Sequence, residues 1–198
     1  MTKVMQIGHK LPTRYTMKDG SNVIELEITE KEKDLRVYIT RDLKSQEQCV
    51  QSAKKAQSVL GMVKRHFKVV NKEDFNVLYK TYVRPHLEYR VQVWSPHFKK
   101  DIECLETIQR RATKLVKGLK RKPYEERLKS LGLYSLQQRR LRGDLIETFK
   151  ILTGKERVDS QSFFQLATGS HNAWTQSETV LAKVLDNCSE DIFQYKSC

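Results

Sequence analysis

The stretch KKDIECLETIQRRATKLVKG, residues 99–118, carries the clearest helical pattern in this sequence. Its apolar residues recur at three- and four-residue steps, the spacing that places side chains on one face of an α-helix. They are Ile102, Leu105, Ile108, Ala112, Leu115 and Val116. The stretch also carries a basic stripe at i, i+4 and i+7, formed by Arg110, Lys114 and Lys117, with Arg111 beside it. The stretch therefore predicts an amphipathic helix that ends at Gly118.

Similar helices are predicted on the N-terminal side of this stretch. Residues 45–67 carry an apolar stripe at helical spacing: Cys49, Ala53, Ala56, Leu60, Val63 and Phe67. Four cations fall away from that stripe: Lys54, Lys55, Lys64 and Arg65. Asn71 is then the N-cap of a further helix, and the Arg84-Pro85 step is expected to end it because proline lacks an N–H and disfavours helix before it.

The C-terminal side continues in the same style. Pro123 opens a short helix that Gly132 ends, and Ser135 with Gln138 forms a capping box for another helix. That last helix carries Leu141, Leu145, Phe149 and Leu152, with Gly154 past its end. Short amphipathic helices with brief connections indicate a bundle. Residues 155–198 are predicted to be a weakly ordered tail with one helix around 177–186.

The first 42 residues carry strand signals instead. Val4–Gly8, Arg14–Met17 and Val23–Ile28 are short apolar runs, and Asp19-Gly20 is a tight-turn signal. Residues 35–39 are expected to form a strand with Leu35, Val37 and Ile39 on one face. We expect one small antiparallel sheet that needs a helix or another partner to be stable.

The fold class predicted is therefore mainly α: a small N-terminal antiparallel sheet followed by a helical bundle, an α+β arrangement. Three segments are expected, namely strands at 1–42, the bundle at 43–154 and the tail at 155–198. A chain of 198 residues is long enough to bury a core of this kind.

Charge is distributed unevenly. The net charge is +13, from 37 Lys and Arg against 24 Asp and Glu. Residues 43–98 carry +6 and residues 99–150 carry +8, whereas 1–42 carry +1 and 151–198 carry −2. An excess of this size indicates a polyanionic partner, and it lies within the predicted bundle.

Several classes of protein are disfavoured. No signal peptide or apolar run long enough to cross a membrane is visible, so we expect an intracellular protein of the nucleus or cytoplasm that binds no membrane. Cys49, Cys104, Cys188 and Cys198 lack metal-site spacing, which favours reduced thiols. Phosphate-loop, dinucleotide, zinc-protease and serine-hydrolase motifs are absent, and the isolated histidines (His66, His86, His97) and the Glu125-Glu126 pair suggest surface or packing roles. No catalytic or metal-binding residues are expected.

Nucleic-acid binding is the function that the charge pattern favours. Basic stripes on helices can follow a phosphate backbone without reading its sequence. A soluble bundle also needs charged faces, and Glu106 stands four residues before Arg110 as a potential helix-stabilising pair. Both interpretations of the stripe stay open at this point.

Two blocks of sequence are distinctive, VRPHLEY at residues 83–89 and QRRATK at residues 109–114. The blocks around them, in chain order, are VMQIG at 4–8, EKDL at 32–35, KKA at 54–56, LG at 60–61, WSP at 94–96, YEERL at 124–128 and LGL at 131–133. Together, over about residues 3–166, they resemble the C-terminal part of non-LTR retrotransposon reverse transcriptases of the jockey and chicken-repeat type.

The resemblance implies a place for each segment. Residues 1–42 would be the end of the palm with the primer-grip hairpin, which includes Lys33. Residues 43–154 would be the thumb and connection, which hold the template–primer duplex. With the basic stripes, the nucleic-acid-binding residues expected are Lys33, Lys54, Lys55, Lys64, Arg65, Arg110, Arg111, Lys114 and Lys117.

The same resemblance implies what this chain lacks. The full-length enzymes hold Mg²⁺ with an aspartate box that belongs upstream of these residues, so no cofactor and no polymerase activity are expected here. Two positions depart from the family pattern: Arg36 stands where glycine is usual, and Arg90 where a small residue or Cys is common.

The function expected is therefore that of a truncated reverse transcriptase-like protein, which binds template–primer or RNA/DNA backbone weakly and without sequence preference. The alternatives are a host-recruited helical module that binds a protein partner, and a transposon relic without function. No protein partner is specified by the sequence.

Overall fold

The computed structural model of this chain describes residues 3–8 and 13–163. It is mainly helical with small sheets, which confirms the expected fold class. The chain divides into two compact units, Met1–Gln137 and Gln138–Cys198. The segment boundaries at 42 and 154 stay predictions, and the helix expected around 177–186 lies outside the described residues.

The strands form separate two-stranded sheets in place of the one antiparallel sheet predicted. β2 (Thr16–Asp19) pairs antiparallel with β3 (Asn22–Glu25), whereas β1 (Lys3–Val4) pairs in parallel with β4 (Glu27–Ile28). The break falls at Leu26, whose N–H still bonds the carbonyl of Tyr15 at 2.8 Å. Beyond Leu26 the chain changes partner, which explains why the alternation over 23–28 is imperfect in the sequence.

The next hairpin corrects the strand predicted at residues 35–39. β5 (Lys31–Asp34) pairs antiparallel with β6 (Val37–Thr40), and Leu35 and Arg36 form the two-residue turn between them. Both turn residues have positive φ, 44° and 69°. Leu35 is therefore 69% exposed and does not share the inward face that buries Val37.

α1 (Gln46–His66) confirms the helix predicted at 45–67. Its apolar stripe is buried except at one position, since Phe67 is 44% exposed where burial was expected. The reason is that the helix ends at His66: the backbone of Phe67 is extended, at φ −111° and ψ 103°, so its side chain leaves the stripe.

Pro85 does not end a helix, contrary to the prediction. Asn71 caps α2 (Lys72–Leu78) as expected, accepting a hydrogen bond from the Asp74 N–H at 2.7 Å. The chain then makes a π-helical turn over Tyr79–Val83 and continues as α3 (Arg84–Glu88) with Pro85 in its first turn. The wider i→i+5 turn accommodates the proline ring and its missing donor.

The remaining predicted helices are present, but the one expected to end at Gly118 ends at Thr113, where the N–H groups of Lys114 and Leu115 bond carbonyls three residues back. After the short α4 (Val91–Trp94), α5 spans Lys99–Thr113, α6 spans Tyr124–Leu131 and α7 spans Leu136–Leu152. Gly132 ends α6 in the left-handed conformation, at φ 61°, as predicted. A single 3₁₀ turn, Ser160–Ser162, follows among the described residues. No helix within these residues is long and apolar enough to cross a membrane.

The core of the first unit lies where α1 meets the π turn, α3 and α5. Cys49 and Ala56 of α1, Leu87 of α3, and Leu105 and Ala112 of α5 are fully buried in it. The small side chains of α1 allow close approach of α5. The core thereby fixes α1 and α5 beside each other.

Candidate nucleic-acid interface

α1 and α5 run side by side in the same direction. Near the start of both helices, Lys100 Nζ donates a hydrogen bond to Gln46 Oε1 at 2.8 Å. Farther along, Arg111 Nη1 donates to Gln57 Oε1 at 3.1 Å. Both contacts join residues 54 positions apart in the chain, so the two helices advance together. Their C-terminal ends therefore lie at the same end of the unit.

The segments that leave these two helices are joined to each other. Val70, after α1, forms a parallel β-bridge with Val116, after α5, and the N–H of Lys117 donates to the carbonyl of Val70 at 3.0 Å. Both valines are buried. This bridge holds residues 64–72 against residues 114–122.

We call the cations on these joined segments the basic surface. Its members are Lys64, Arg65, Lys68, Lys114, Lys117, Lys120, Arg121 and Lys122. All of these side chains are exposed. Among the described residues, none of them has a hydrogen bond or an ion pair through its side chain.

No carboxylate interrupts the two segments. The sequence holds no Asp or Glu between Gln48 and Lys72, and none between Thr107 and Tyr124. The nearest acidic residue of α5, Glu106, is 5% exposed and accepts hydrogen bonds from the Tyr124 hydroxyl and the Leu136 N–H. Within the two segments no carboxylate is therefore available to pair with the basic surface; the nearest exposed ones, Glu73, Asp74, Glu125 and Glu126, lie just beyond their C-terminal ends.

The structure changes the basic stripe predicted on α5. The helix ends at Thr113, so Lys114 is its C-cap and Lys117 lies in the following loop, and the three cations are not on one helical face. Arg110 forms an ion pair with Glu103, and its guanidinium lies 5.1 Å from the centre of the Tyr124 ring. The structure thus pairs Arg110 with Glu103, whereas the sequence suggested Glu106.

Arg111 lies in the last turn of α5, next to the basic surface, and is held to Gln57 of α1, whereas Lys33, Lys54 and Lys55 lie farther away. Lys54 and Lys55 are exposed in the middle of α1, and Lys55 acts on His86 of α3, whose pKa is lowered by burial and by this neighbouring charge. Lys33 on β5 stands opposite Tyr38, whose N–H donates to Gln48 near the start of α1. At 1.5 Å per residue, that position is about 24 Å along the helix from Lys64. Only Lys64, Arg65, Lys114 and Lys117 of the predicted set are brought together.

The loop of the basic surface is anchored to a buried polar network. Gln109 accepts a hydrogen bond from the Tyr79 hydroxyl and donates to the Tyr124 hydroxyl and the Tyr134 carbonyl, both at 2.9 Å. Burial raises the pKa of Tyr79, and burial together with the hydrogen bond to Glu106 raises that of Tyr124. Both hydroxyls therefore stay protonated donors well above neutral pH, and the network fixes the start of α6.

Four members of the basic surface were missed by the sequence analysis. Lys68, Lys120, Arg121 and Lys122 lie outside helical elements, so a search for stripes at helical spacing passes over them. A scan for long stretches without Asp or Glu would have found them, since both segments are free of acidic residues.

The described part of the chain contains no group of three or more His, Cys, Asp or Glu side chains placed to hold a metal ion. His66 contacts the carbonyl of Met62 through Nδ1 at 2.8 Å, and His97 is exposed. Cys49 and Cys104 are free thiols, while Cys188 and Cys198 lie outside the described residues.

No protein-family model, curated protein or solved structure matches this chain.

Proposed function

We propose that the basic surface binds the sugar–phosphate backbone of nucleic acid without reading its sequence. The observation that carries this proposal is the concentration of exposed lysine and arginine side chains on two joined segments without a carboxylate among them. Each cation that meets a phosphate releases condensed counterions, which favours binding to any sequence.

Helix electrostatics alone is too small an explanation for this cluster. The C-terminal ends of α1 and α5 carry partial negative charge, which stabilises cations within the last turn. That effect covers Lys64 and Arg65 of α1. This stabilisation is confined to the last turn and does not reach the loop cations Lys117, Lys120 and Lys122. Helix electrostatics therefore does not account for their positions.

The resemblance to non-LTR reverse transcriptases suggests which nucleic acid the basic surface binds. The helical unit would grip template–primer duplex as a thumb does. The ligand on this view is an RNA–DNA hybrid, and no cofactor is required.

The test is the salt dependence of binding by the full chain. A variant with Lys114, Lys117, Lys120 and Lys122 all changed to Gln should bind a labelled RNA–DNA hybrid more weakly than wild type in fluorescence anisotropy. The slope of log affinity against log salt should fall by about 0.9 for each phosphate that the variant no longer neutralises.

A variant with Lys31, Lys44, Lys99 and Lys100 all changed to Gln provides the matched control, since it removes the same number of exposed charges near the other end of α1 and α5. This control variant should retain the wild-type slope. Absence of binding at low salt, or an equal weakening of binding in the two variants, would refute the proposal.

A second candidate function, binding of a protein partner, is favoured by one feature. An open groove of about 430 Å³ lies between β6 and the segment 93–98, lined by Val37, Ile39, Leu43, Val93, Trp94 and Phe98. Leu43, Val93 and Phe98 are each more than half exposed. A pull-down that resists nuclease and is abolished by Val93→Ser would support this function.

A further inference from the structure

Phe67 lies within the basic surface. It follows Lys64 and Arg65 along the chain and directly precedes Lys68, all with exposed side chains. Three residues later Val70 forms the bridge to Val116. An aromatic residue that is 44% exposed thus lies in one of the two cationic segments, three residues before the bridge that joins them.

The backbone of Phe67 is held in place on both sides. Its N–H donates to the carbonyl of Val63 at 3.0 Å, which fixes it to the last turn of α1. The buried bridge at Val70 fixes the chain beyond it. The ring is therefore presented from a short, doubly anchored segment, at a low entropic cost of ordering it on binding.

An exposed ring among cations suits one kind of ligand. Every nucleobase has a flat face that stacks on an aromatic side chain, while neighbouring lysines and arginines hold the phosphates. A fully paired duplex offers no such face except at its ends, since its bases are stacked on each other.

We infer that Phe67 stacks on an unpaired base. The basic surface then binds nucleic acid that has a single-stranded segment next to the part held by the cations. This inference rests on the proposed function, because the phosphates must be bound for the base to reach the ring. It adds the class of ligand: a duplex with a single-stranded extension in preference to a blunt duplex.

The experiment compares two probes in fluorescence anisotropy with the full chain. One is a blunt RNA–DNA hybrid and the other is the same hybrid with a short single-stranded adenine tail. Wild-type protein should bind the tailed probe at least about fivefold more tightly, since stacking of one base on an aromatic ring is worth that much or more. Phe67→Ala should lose this preference and keep the affinity for the blunt probe.

Two variants complete the design. Phe67→Tyr keeps a ring for stacking and should retain the preference. Phe98→Ala removes a ring that is 53% exposed just before α5, at the other end of the helix pair, and should behave as wild type.

The outcomes separate this inference from the proposed function. Equal affinity of wild type for both probes, or a preference that survives in Phe67→Ala, overturns the stacking of a base and leaves backbone binding intact. Failure of wild type to bind either probe at low salt overturns both.

Discussion

Arg36 adopts a backbone conformation that L-amino acids other than Asn and Asp rarely accept. With Leu35 it forms the turn of the β5–β6 hairpin, and its φ is 69°. A left-handed conformation costs a residue with a Cβ about 1–2 kcal/mol relative to its preferred regions. Two-residue hairpin turns with positive φ at both positions favour glycine or asparagine, so the turn keeps a glycine-type geometry with an arginine in it.

Arg36→Gly should therefore stabilise the protein. We expect the free energy of unfolding to rise by about 0.5–1 kcal/mol, because relief of the left-handed strain exceeds the added flexibility of the unfolded chain. Urea unfolding followed by circular dichroism measures this change. Lys33→Gly, in the neighbouring strand, should have the opposite sign, and destabilisation by both variants would contradict the argument.

Asp42 organises the turn between β6 and α1. Its carboxylate accepts hydrogen bonds from the Thr40 hydroxyl at 2.8 Å and from the Lys44 N–H at 3.2 Å. These bonds, with the Lys44 charge, lower the pKa of Asp42 from 3.8 to about 2. Leu43, which lies between Asp42 and Lys44 in this turn, has a positive φ of 53°.

The lowered pKa of Asp42 predicts a dependence of stability on pH. Because the folded-state pKa is depressed, the contribution is complete above the ordinary value of 3.8 and is lost as pH falls through about 2. Asp42→Asn should make unfolding less sensitive to pH in that window. If an NMR titration of the Asp42 carboxyl group gave a midpoint near its ordinary pKa, the turn would not stabilise the ionised carboxylate.

At the scale of elements, the path from α2 to α3 shows how a helix continues past a proline. Tyr79 and Val83, the first and last residues of the π turn, are each 1% exposed. The N–H of Arg84 bonds the carbonyl of Tyr79, five residues back, just before Pro85. Burial of these side chains stabilises the continued helix, and Pro85 itself lies on the exposed side.

Pro85→Ala should consequently give little or no gain in stability. A proline that strained a helix interior would cost about 3 kcal/mol, and its removal would return that amount. Here we expect a loss of up to about 1 kcal/mol, because the proline restricts the unfolded chain without straining the folded one. The shift of the thermal midpoint reports the sign, and Lys54→Pro in the middle of α1 supplies the destabilisation of a true helix breaker for comparison.

At the scale of the whole first unit, Gln109 joins elements that are distant in sequence. It is 1% exposed, and its hydrogen bonds connect α5 with the π turn, with α6 and with the segment before α7. The position of the basic surface depends on this network because the network fixes both ends of the loop that follows α5.

Gln109→Leu should destabilise the unit by about 2–4 kcal/mol, since it leaves the buried Tyr79 hydroxyl without its partner and removes the bonds that hold Tyr124 and Tyr134 to α5. Chemical unfolding measures the change. Gln92→Leu, at an exposed position of α4, should stay within about 0.5 kcal/mol of wild type. A cost for Gln109→Leu as small as that of the control would mean that water replaces the missing bonds.

Local patterns in the sequence predict most of the helices, two of their caps and the location of the positive charge, but not the end of α5 at Thr113. The apolar stripe of α1, the Asn71 cap and the Gly132 stop are local patterns, and local hydrogen bonding is sufficient to fulfil them. The strand at Leu35 and the helix end at Pro85 were predicted wrongly because their turn geometry depends on pairing with β5 and on buried neighbours, which no local pattern records.

Which cations lie close together depends on packing between residues that are distant in the chain. The parallel packing of α1 on α5 and the bridge from Val70 to Val116 bring two segments together that lie far apart in the chain, and they separate Lys33 from both. The end of α1 at His66 leaves Phe67 exposed next to Lys64, Arg65 and Lys68. The composition sets the net charge. A binding surface also needs cations that lie close together, and burial of the core between the helices sets those distances.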